Sequence, residues 1–160
     1  LPVFFGFFIN TFKWNKFDLT VNVSYRFGYY FMRPSLNYSS LFNNGAWPGS
    51  SDYEKRWQKQ GDEKSTNVPS LIYPADPNRD MLYNNSEILI DRADNIRLQY
   101  VNLSYDLENI VSKKVQHLLL YINASNLGVI WKANKDGIDP DYISVPIPGK
   151  VLSLGLRASF

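Results

Sequence analysis

The chain is 160 residues long, with a formal net charge of +2 and no cysteine, which excludes disulfide scaffolds, cysteine-ligated zinc and thiol catalysis and gives no basis for nucleic-acid binding. Mean hydropathy is −0.30, and no apolar run approaches the roughly 18 residues of a membrane helix. A helical membrane protein is therefore not expected, whereas a β-barrel, whose signal is alternation rather than bulk hydrophobicity, stays open.

Residues 3–14 read as a strand that is apolar on both faces. It is under way from the start, without the basic leader or small-residue cleavage site of a signal peptide, so the chain reads as a fragment of something longer. Asn15-Lys16 is a tight hairpin turn. Residues 17–30 give the cleanest pattern. Phe17, Leu19, Val21, Val23, Tyr25, Phe27 and Tyr29 alternate with Asp18, Thr20, Asn22, Ser24, Arg26 and Gly28. A helix, with a period of 3.6, would scramble this order. In a membrane, Trp14 and Phe17 would lie near one interface and Tyr29, Tyr30 and Phe31 near the other.

Residues 32–95 form a long loop with one predicted helix. Ser51-Asp52-Tyr53-Glu54 reads as a capping box, with Ser51 as N-cap and Glu54 at N3. Gly61 can end that helix, and Tyr53 and Trp57 would share a face. The rest is turn-rich: Asn43-Asn44-Gly45, Trp47-Pro48-Gly49, Pro74-Ala75-Asp76-Pro77. A loop this long in a compact domain is functional or disordered, and its aromatics favour function.

Residues 96–107 form the third strand. Val101, Leu103, Tyr105 and Leu107 hold one phase, Ile96 and Leu98 the other. A bulge near Gln99 or Tyr100 would reconcile them. A short turn over 108–114 leads to the fourth strand, 115–126, with Leu118, Leu120, Ile122 and Ala124 on its apolar face. The loop over 127–148 carries Asn134, Asp136, Asp139 and Asp141 around Gly137. That set is either an ordinary turn-rich loop, the preferred reading, or a calcium loop without EF-hand spacing. Residues 150–160 form the fifth strand, with Leu152, Leu154, Leu156, Ala158 and Phe160 on one face. Its length suits a tilted membrane-spanning strand.

Connections therefore alternate short, long, short, long. Outer-membrane barrels have short periplasmic turns and long outer loops. Placing Phe160 at the periplasmic rim sorts all four connections correctly. Five strands cannot close a barrel, since the smallest single-chain ones have about eight. Open edges in lipid would carry unpaired amides at several kcal/mol each. The expectation is all-β: five antiparallel strands at the C-terminal end of a larger transmembrane barrel.

Four stretches then resemble the C-terminal end of SusC/RagA-like TonB-linked outer-membrane transporters. They are Asn10-Thr11-Phe12-Lys13-Trp14-Asn15-Lys16-Phe17-Asp18-Leu19; Lys55-Arg56-Trp57-Gln58-Lys59-Gln60-Gly61-Asp62 followed by Thr66-Asn67-Val68-Pro69; Ala93-Asp94-Asn95-Ile96-Arg97-Leu98 running on to Tyr105; and Leu118 to Leu127 with Gly137-Ile138-Asp139-Pro140-Asp141. Asp94, Asn95 and Asp141 depart from the usual pattern. The resemblance implies a barrel of about 22 strands, of which residues 1–160 are the C-terminal segment, with the plug domain elsewhere. It also implies a bacterial outer-membrane location, contact with outer-membrane lipid, import of glycans or peptides with a SusD-like surface lipoprotein, and energy from TonB acting through the absent N-terminal part.

Trp47, Trp57, Tyr73, Tyr83, Trp131 and Tyr142 are the candidate substrate- or partner-binding residues, because rings stack on sugars and anchor interfaces. The plainer reading is that they pack the outer loops together. Asp18, Arg26 and Arg157 would face the lumen, filling the wall's polar face or tuning selectivity. His117, the only histidine, reads as structural. No nucleophile–base pair, phosphate loop or paired acids stand out, so neither an enzyme nor any metal or cofactor is expected. The alternative to a transporter is a soluble β-sandwich carbohydrate-binding module. It would show strands of about 5–6 residues, shorter than those read here.

Overall fold

Five long strands make one antiparallel sheet in a computed structural model that describes residues 1–42, 50–107, 117–143 and 145–159. The strands in chain order are β1 (Phe4–Trp14), β2 (Phe17–Phe27), β3 (Tyr30–Met32), β4 (Ile90–Arg92), β5 (Asn95–Asp106), β6 (His117–Lys132) and β7 (Val151–Ser159). The sheet runs β1-β2-β5-β6-β7, and β3 and β4 form a separate two-stranded ribbon. The chain divides into two compact units, Leu1–Tyr30 with Arg92–Phe160, and Phe31–Asp91.

The sheet is built by alternation. Asn15 adopts a left-handed φ of 54°, which the two-residue turn between Trp14 and Phe17 needs. On one face β2 presents Phe17, Leu19, Val21, Val23 and Tyr25, which pair with Tyr105, Leu103, Val101, Leu98 and Ile96 of β5. Asn22 pairs with Tyr100 and Val23 with Leu98, leaving Gln99 as the extra residue. This bulge brings the two apolar phases of β5 onto one face, as the alternation required. The displaced Gln99 amide donates to Ser24 Oγ at 2.7 Å. On β6, Leu120, Ile122 and Ala124 continue the apolar face to Leu156, Leu154 and Leu152 of β7.

Two boundaries differ from the expectation. The fourth strand does not end at Asn126 but continues to Lys132. Asn126 and Gly128 take φ of 56° and 102°. The pairing Tyr100–Ser125 is followed by Leu98–Gly128, three steps on β6 against two on β5. The Asn-Leu-Gly run is thus a bulge within a strand rather than the start of a loop. The second strand stops at Phe27, because Gly28 turns with φ 75°. The short turn over 108–114, Trp47 and Phe160 lie outside the described residues.

β1 and β7 are the sheet edges and do not pair with each other. The five strands of this sheet are 9 to 16 residues long, and no second sheet of such strands occurs among the described residues. A β-sandwich packs two sheets face to face, so that alternative does not fit. The architecture is the all-β, antiparallel, barrel-wall arrangement the sequence indicated.

Residues 31–91 fold around Leu36, Tyr38 and Val68, with Leu41, Tyr53 and Ala75 against them. They hold three short helices, α1 (Tyr38–Phe42), α2 (Asp52–Lys55) and α3 (Pro77–Asn84). The helix expected from Ser51 to Gly61 shrinks to the single turn of α2. Ser51 makes no capping bond, and Arg56 is extended at ψ 150°. The Trp57 N–H bonds the Val68 carbonyl at 3.0 Å instead of closing a helical turn. Arg56 rather than Trp57 covers Tyr53, its guanidinium 4.0 Å from the ring centre. α3 falls where the turn-rich sequence predicts loop. Asp76 caps it by accepting from the N–H groups of Asn78 and Arg79 at 2.9 and 3.4 Å, with Pro77 in the first turn. No helix among the described residues is long and apolar enough to cross a membrane.

Candidate functional site

The sheet unit has two chemically distinct faces. The apolar face is wide open: Phe4, Phe8, Phe12, Trp14, Leu152, Leu154 and Leu156 are all more than half exposed. A patch of this kind on a water-soluble surface is a liability; against hydrocarbon it is the favoured contact. Aromatic rings bound it at both ends. At the Asn15 end, Trp14 stacks on Phe17 at 6.5 Å, and Phe17 meets Tyr105 at 4.6 Å. At the other end, Tyr25 stacks on Phe27 at 5.7 Å, and Phe27 meets Trp131 at 6.2 Å. The ten steps from Phe17 to Phe27 span about 33 Å at about 3.3 Å each. A tilt of about 40° reduces this to about 25 Å, the height of a barrel's lipid-facing band.

The polar face carries a continuous cross-strand row: Thr11, Thr20, Asn102, Asn123 and Ser153. Charges sit towards its ends. Lys13 and Asp18 pair at 3.3 Å near the hairpin turn.

At the opposite end Arg26 of β2 and Arg97 of β5 hold the connection that follows β6. Arg97 donates to Asp139 at 2.5 Å and lies 3.2 Å from Asp141. Arg26 also pairs with Asp141, and the Arg97 guanidinium lies 5.2 Å from the Tyr142 ring centre. The Asp141 N–H closes the turn on Asp139 at 3.1 Å, and Asn134 holds the Ile138 carbonyl at 2.9 Å. Arg97 and Asp139 side chains are only 10% and 8% exposed. A pair this buried costs about 3–5 kcal/mol to break from one side, so it fixes where the loop sits. Arg97 Nε and Asn134 Oδ1 remain buried without a partner. The calcium reading of this loop gains no support: of its three carboxylates, Asp139 and Asp141 are engaged by the arginines, and no cluster of three carboxylate or imidazole groups placed to hold a cation occurs among the described residues.

Asp94 and Asn95 lie where β5 enters the sheet. Asp94 accepts the Gly28 N–H at 2.7 Å and pairs with Arg92. Asn95 donates to the Tyr29 hydroxyl at 2.8 Å. These two residues therefore tie the strand ends together.

In the 31–91 unit the polar centre is Asp52. It is paired with Arg33, accepts from Ser35 Oγ at 2.5 Å and lies 3.5 Å from Lys55. Burial alone would raise its pKa. The hydrogen bonds from Ser35 and Arg33, with the charges of Arg33 and Lys55, outweigh that and hold the carboxyl below the usual range. Ser35 Oγ also meets the Tyr83 hydroxyl at 3.0 Å, and burial pushes that phenol up. Asp80 accepts from Ser39 N and Oγ at 2.7 and 2.8 Å, tying α3 to the start of α1.

The aromatic candidates are divided between the two units. In the 31–91 unit, Tyr73 is 82% exposed and edge-on to Phe42 at 5.1 Å. Trp57 is 41% exposed, with its indole N–H on the Lys59 carbonyl. Tyr83 is buried, as is Phe31, which was expected at an interface. In the sheet unit, Trp131 lies not in a loop but within β6, on the apolar face beside Phe27. Tyr142 lies against Arg97. The arginine–aspartate strap was missed. Its signal was present: arginines in the polar phase of two strands, and two aspartates flanking Pro140.

No family model matches the chain, and neither does any curated protein. Solved structures do resemble it. A chain of the RagAB peptide importer in its "open-open" state aligns over 100% of this chain and 17% of that one, with TM-score 0.66 and 22% identity. The "closed-closed" state gives the same values. A structure of the RagAB peptide transporter aligns over 92% of this chain and 16% of that one, with TM-score 0.58 and 21% identity. The likeness is one of fold, and the chain spans about 17% of the length of the importer chains it resembles.

Proposed function

We propose that residues 1–160 are one wall segment, with its outer connections, of a TonB-linked outer-membrane transporter of the SusC/RagA-like kind. The barrel would have about 22 strands, with the remaining strands and the plug supplied by the rest of the protein. One observation carries the reading: a two-faced meander, apolar and open on one side, shares its fold over its whole length with part of an importer. The cargo would be glycans or peptides, delivered under a SusD-like surface lipoprotein, and TonB would act through the plug. The segment's own task is passive. It seals against lipid, lines the lumen and positions the outer connections, with no catalysis. Fractionation of the full-length protein tests this. It should sediment with outer membranes, need detergent for extraction and support uptake only when TonB is present. Recovery in the soluble fraction would refute it.

A further inference from the structure

We propose that the Tyr29 hydroxyl couples the two long connections that leave the sheet at its Gly28 end, so that the root of the 31–91 connection and the arginine–aspartate strap after β6 loosen together. The root is built where β2 ends and β5 begins. The Ala93 N–H donates to the Tyr29 carbonyl at 3.0 Å and joins the outgoing chain to the returning one. Gly28 turns there with φ 75°, and its N–H donates to the Asp94 carboxylate at 2.7 Å. Arg92 pairs with the same carboxylate. Ala93, Asp94 and Asn95 are at most 1% exposed. Polar groups this buried need their hydrogen bonds made, so a lost partner is felt by its neighbours. The Asn95 amide nitrogen donates to the Tyr29 hydroxyl at 2.8 Å and to the Ala93 carbonyl at 3.1 Å.

The same hydroxyl reaches the strap. Arg26 and Asn95 are cross-strand neighbours, and the Arg26 guanidinium hydrogen-bonds the Tyr29 hydroxyl while pairing with Asp141. A phenolic oxygen has two lone pairs and can accept from both donors at once. One oxygen thus holds Asn95 of the root and Arg26 of the strap. Arg97 does not make this link, being engaged by Asp139, Asp141 and the Tyr142 ring. When Asp141 lets go, Arg26, whose side chain is 42% exposed, turns to water and withdraws its bond from Tyr29. Asn95 is then left on a hydroxyl that is itself no longer fixed. By linkage the reverse holds equally, and loosening the root weakens the strap. A second tie, the Ala133 N–H on the Asp94 carbonyl at 2.9 Å, runs through backbone and does not involve the hydroxyl. The coupling does not rest on the transporter reading; on that reading, it means that a load on one outer connection reaches the other.

The test uses the full-length protein in detergent. Hydrogen exchange of peptides covering residues 27–31 and 92–96 reads the root, and trypsin cleavage after the exposed Lys135 reads the strap. Asp141→Asn, which leaves Arg97 on Asp139, should speed exchange at the root about threefold to tenfold. In Tyr29→Phe, which lacks only the hydroxyl, adding Asp141→Asn should speed it by less than about twofold. Conversely, Tyr29→Phe alone should speed cleavage after Lys135 about threefold to tenfold. Arg26→Lys keeps a charge for Asp141 but has no planar fork to span both partners. It should loosen root and strap together, and it carries the test by itself if Asp141→Asn does not fold. A root unmoved by Asp141→Asn, an equal effect with and without the hydroxyl, or a strap unmoved by Tyr29→Phe overturns the inference. Exchange within the β2–β5 ladder, residues 99–104, should stay within about twofold of the parent throughout; a general rise there would mean global destabilisation and overturns it too.

Discussion

Replacing Arg97 with Ala should release the strap that holds the connection after β6. The guanidinium is the cation facing the Asp139 carboxylate at 2.5 Å, one of two facing Asp141, and the partner of the Tyr142 ring. Its loss strands Asp139, whose side chain is 8% exposed. Breaking such a pair from one side costs about 3–5 kcal/mol. Taking the low end, because the loop can lift and let water in, about 3 kcal/mol makes the opened loop roughly a hundredfold more populated. Trypsin reads this directly, since Lys135 is exposed and lies between the strand end and the strap. Cleavage after Lys135 in the detergent-folded protein should accelerate by about that factor. The double variant Arg97→Ala with Asp139→Ala should be cleaved more slowly than the single one, because no buried carboxylate is left unpaired. Cleavage of Arg97→Ala within about twofold of the parent, or a double variant worse than the single, would refute the strap.

Gly155→Ala should destabilise the folded sheet by about 1–3 kcal/mol through collision with the Tyr121 ring, and Tyr121→Ala should relieve it; urea titration of the folded fraction checks both. The Asp52 carboxyl is depressed in the fold, so its contribution is complete above the unfolded value of about 3.9 and is lost as pH falls through the lower folded value. Hydrogen-exchange protection of residues 31–91, corrected for intrinsic rates, should drop in that acid range, and Asp52→Asn should reduce both that dependence and the protection at neutral pH, leaving the part of the dependence carried by Asp62, which the Gln58 and Lys59 N–H groups also hold low. Asp76→Ala should cost α3 about 1 kcal/mol, seen as roughly fivefold faster exchange confined to residues 77–84.

What could be read from the chain follows from the period of each force. A strand with one apolar and one polar face must alternate at every residue, so β2 and β7 are legible in the sequence. The phase break at Gln99 likewise demanded a bulge. Trp131 escaped because bulges at Asn126 and Gly128 look like a loop when only local turn chemistry is weighed. Ser51-Asp52-Tyr53-Glu54 misled for a different reason. Its local capping preference was overridden when Asp52 found Arg33 and Ser35, distant in sequence and close in space. The strap depends on three separate segments meeting: the arginines in the polar phase of β2 and β5 and the aspartates beside Pro140 are visible in the sequence, but that they meet is not encoded by any local pattern. Asp76-Pro77 is a local signal of α3 that turn chemistry hides, since a proline after an aspartate opens helices as readily as it makes turns.

The central claim is that the two faces of this sheet meet different media. The 160 residues contain no cysteine, so in the full-length protein, with any cysteine elsewhere replaced, single cysteines at Leu154, Ser153, Ile122 and Asn123 can each carry an environment-sensitive fluorophore after reconstitution in bilayers. The account predicts strict alternation. Probes at 154 and 122 should be quenched by brominated lipid and shielded from iodide, with the reverse at 153 and 123. Iodide access at all four positions would contradict it.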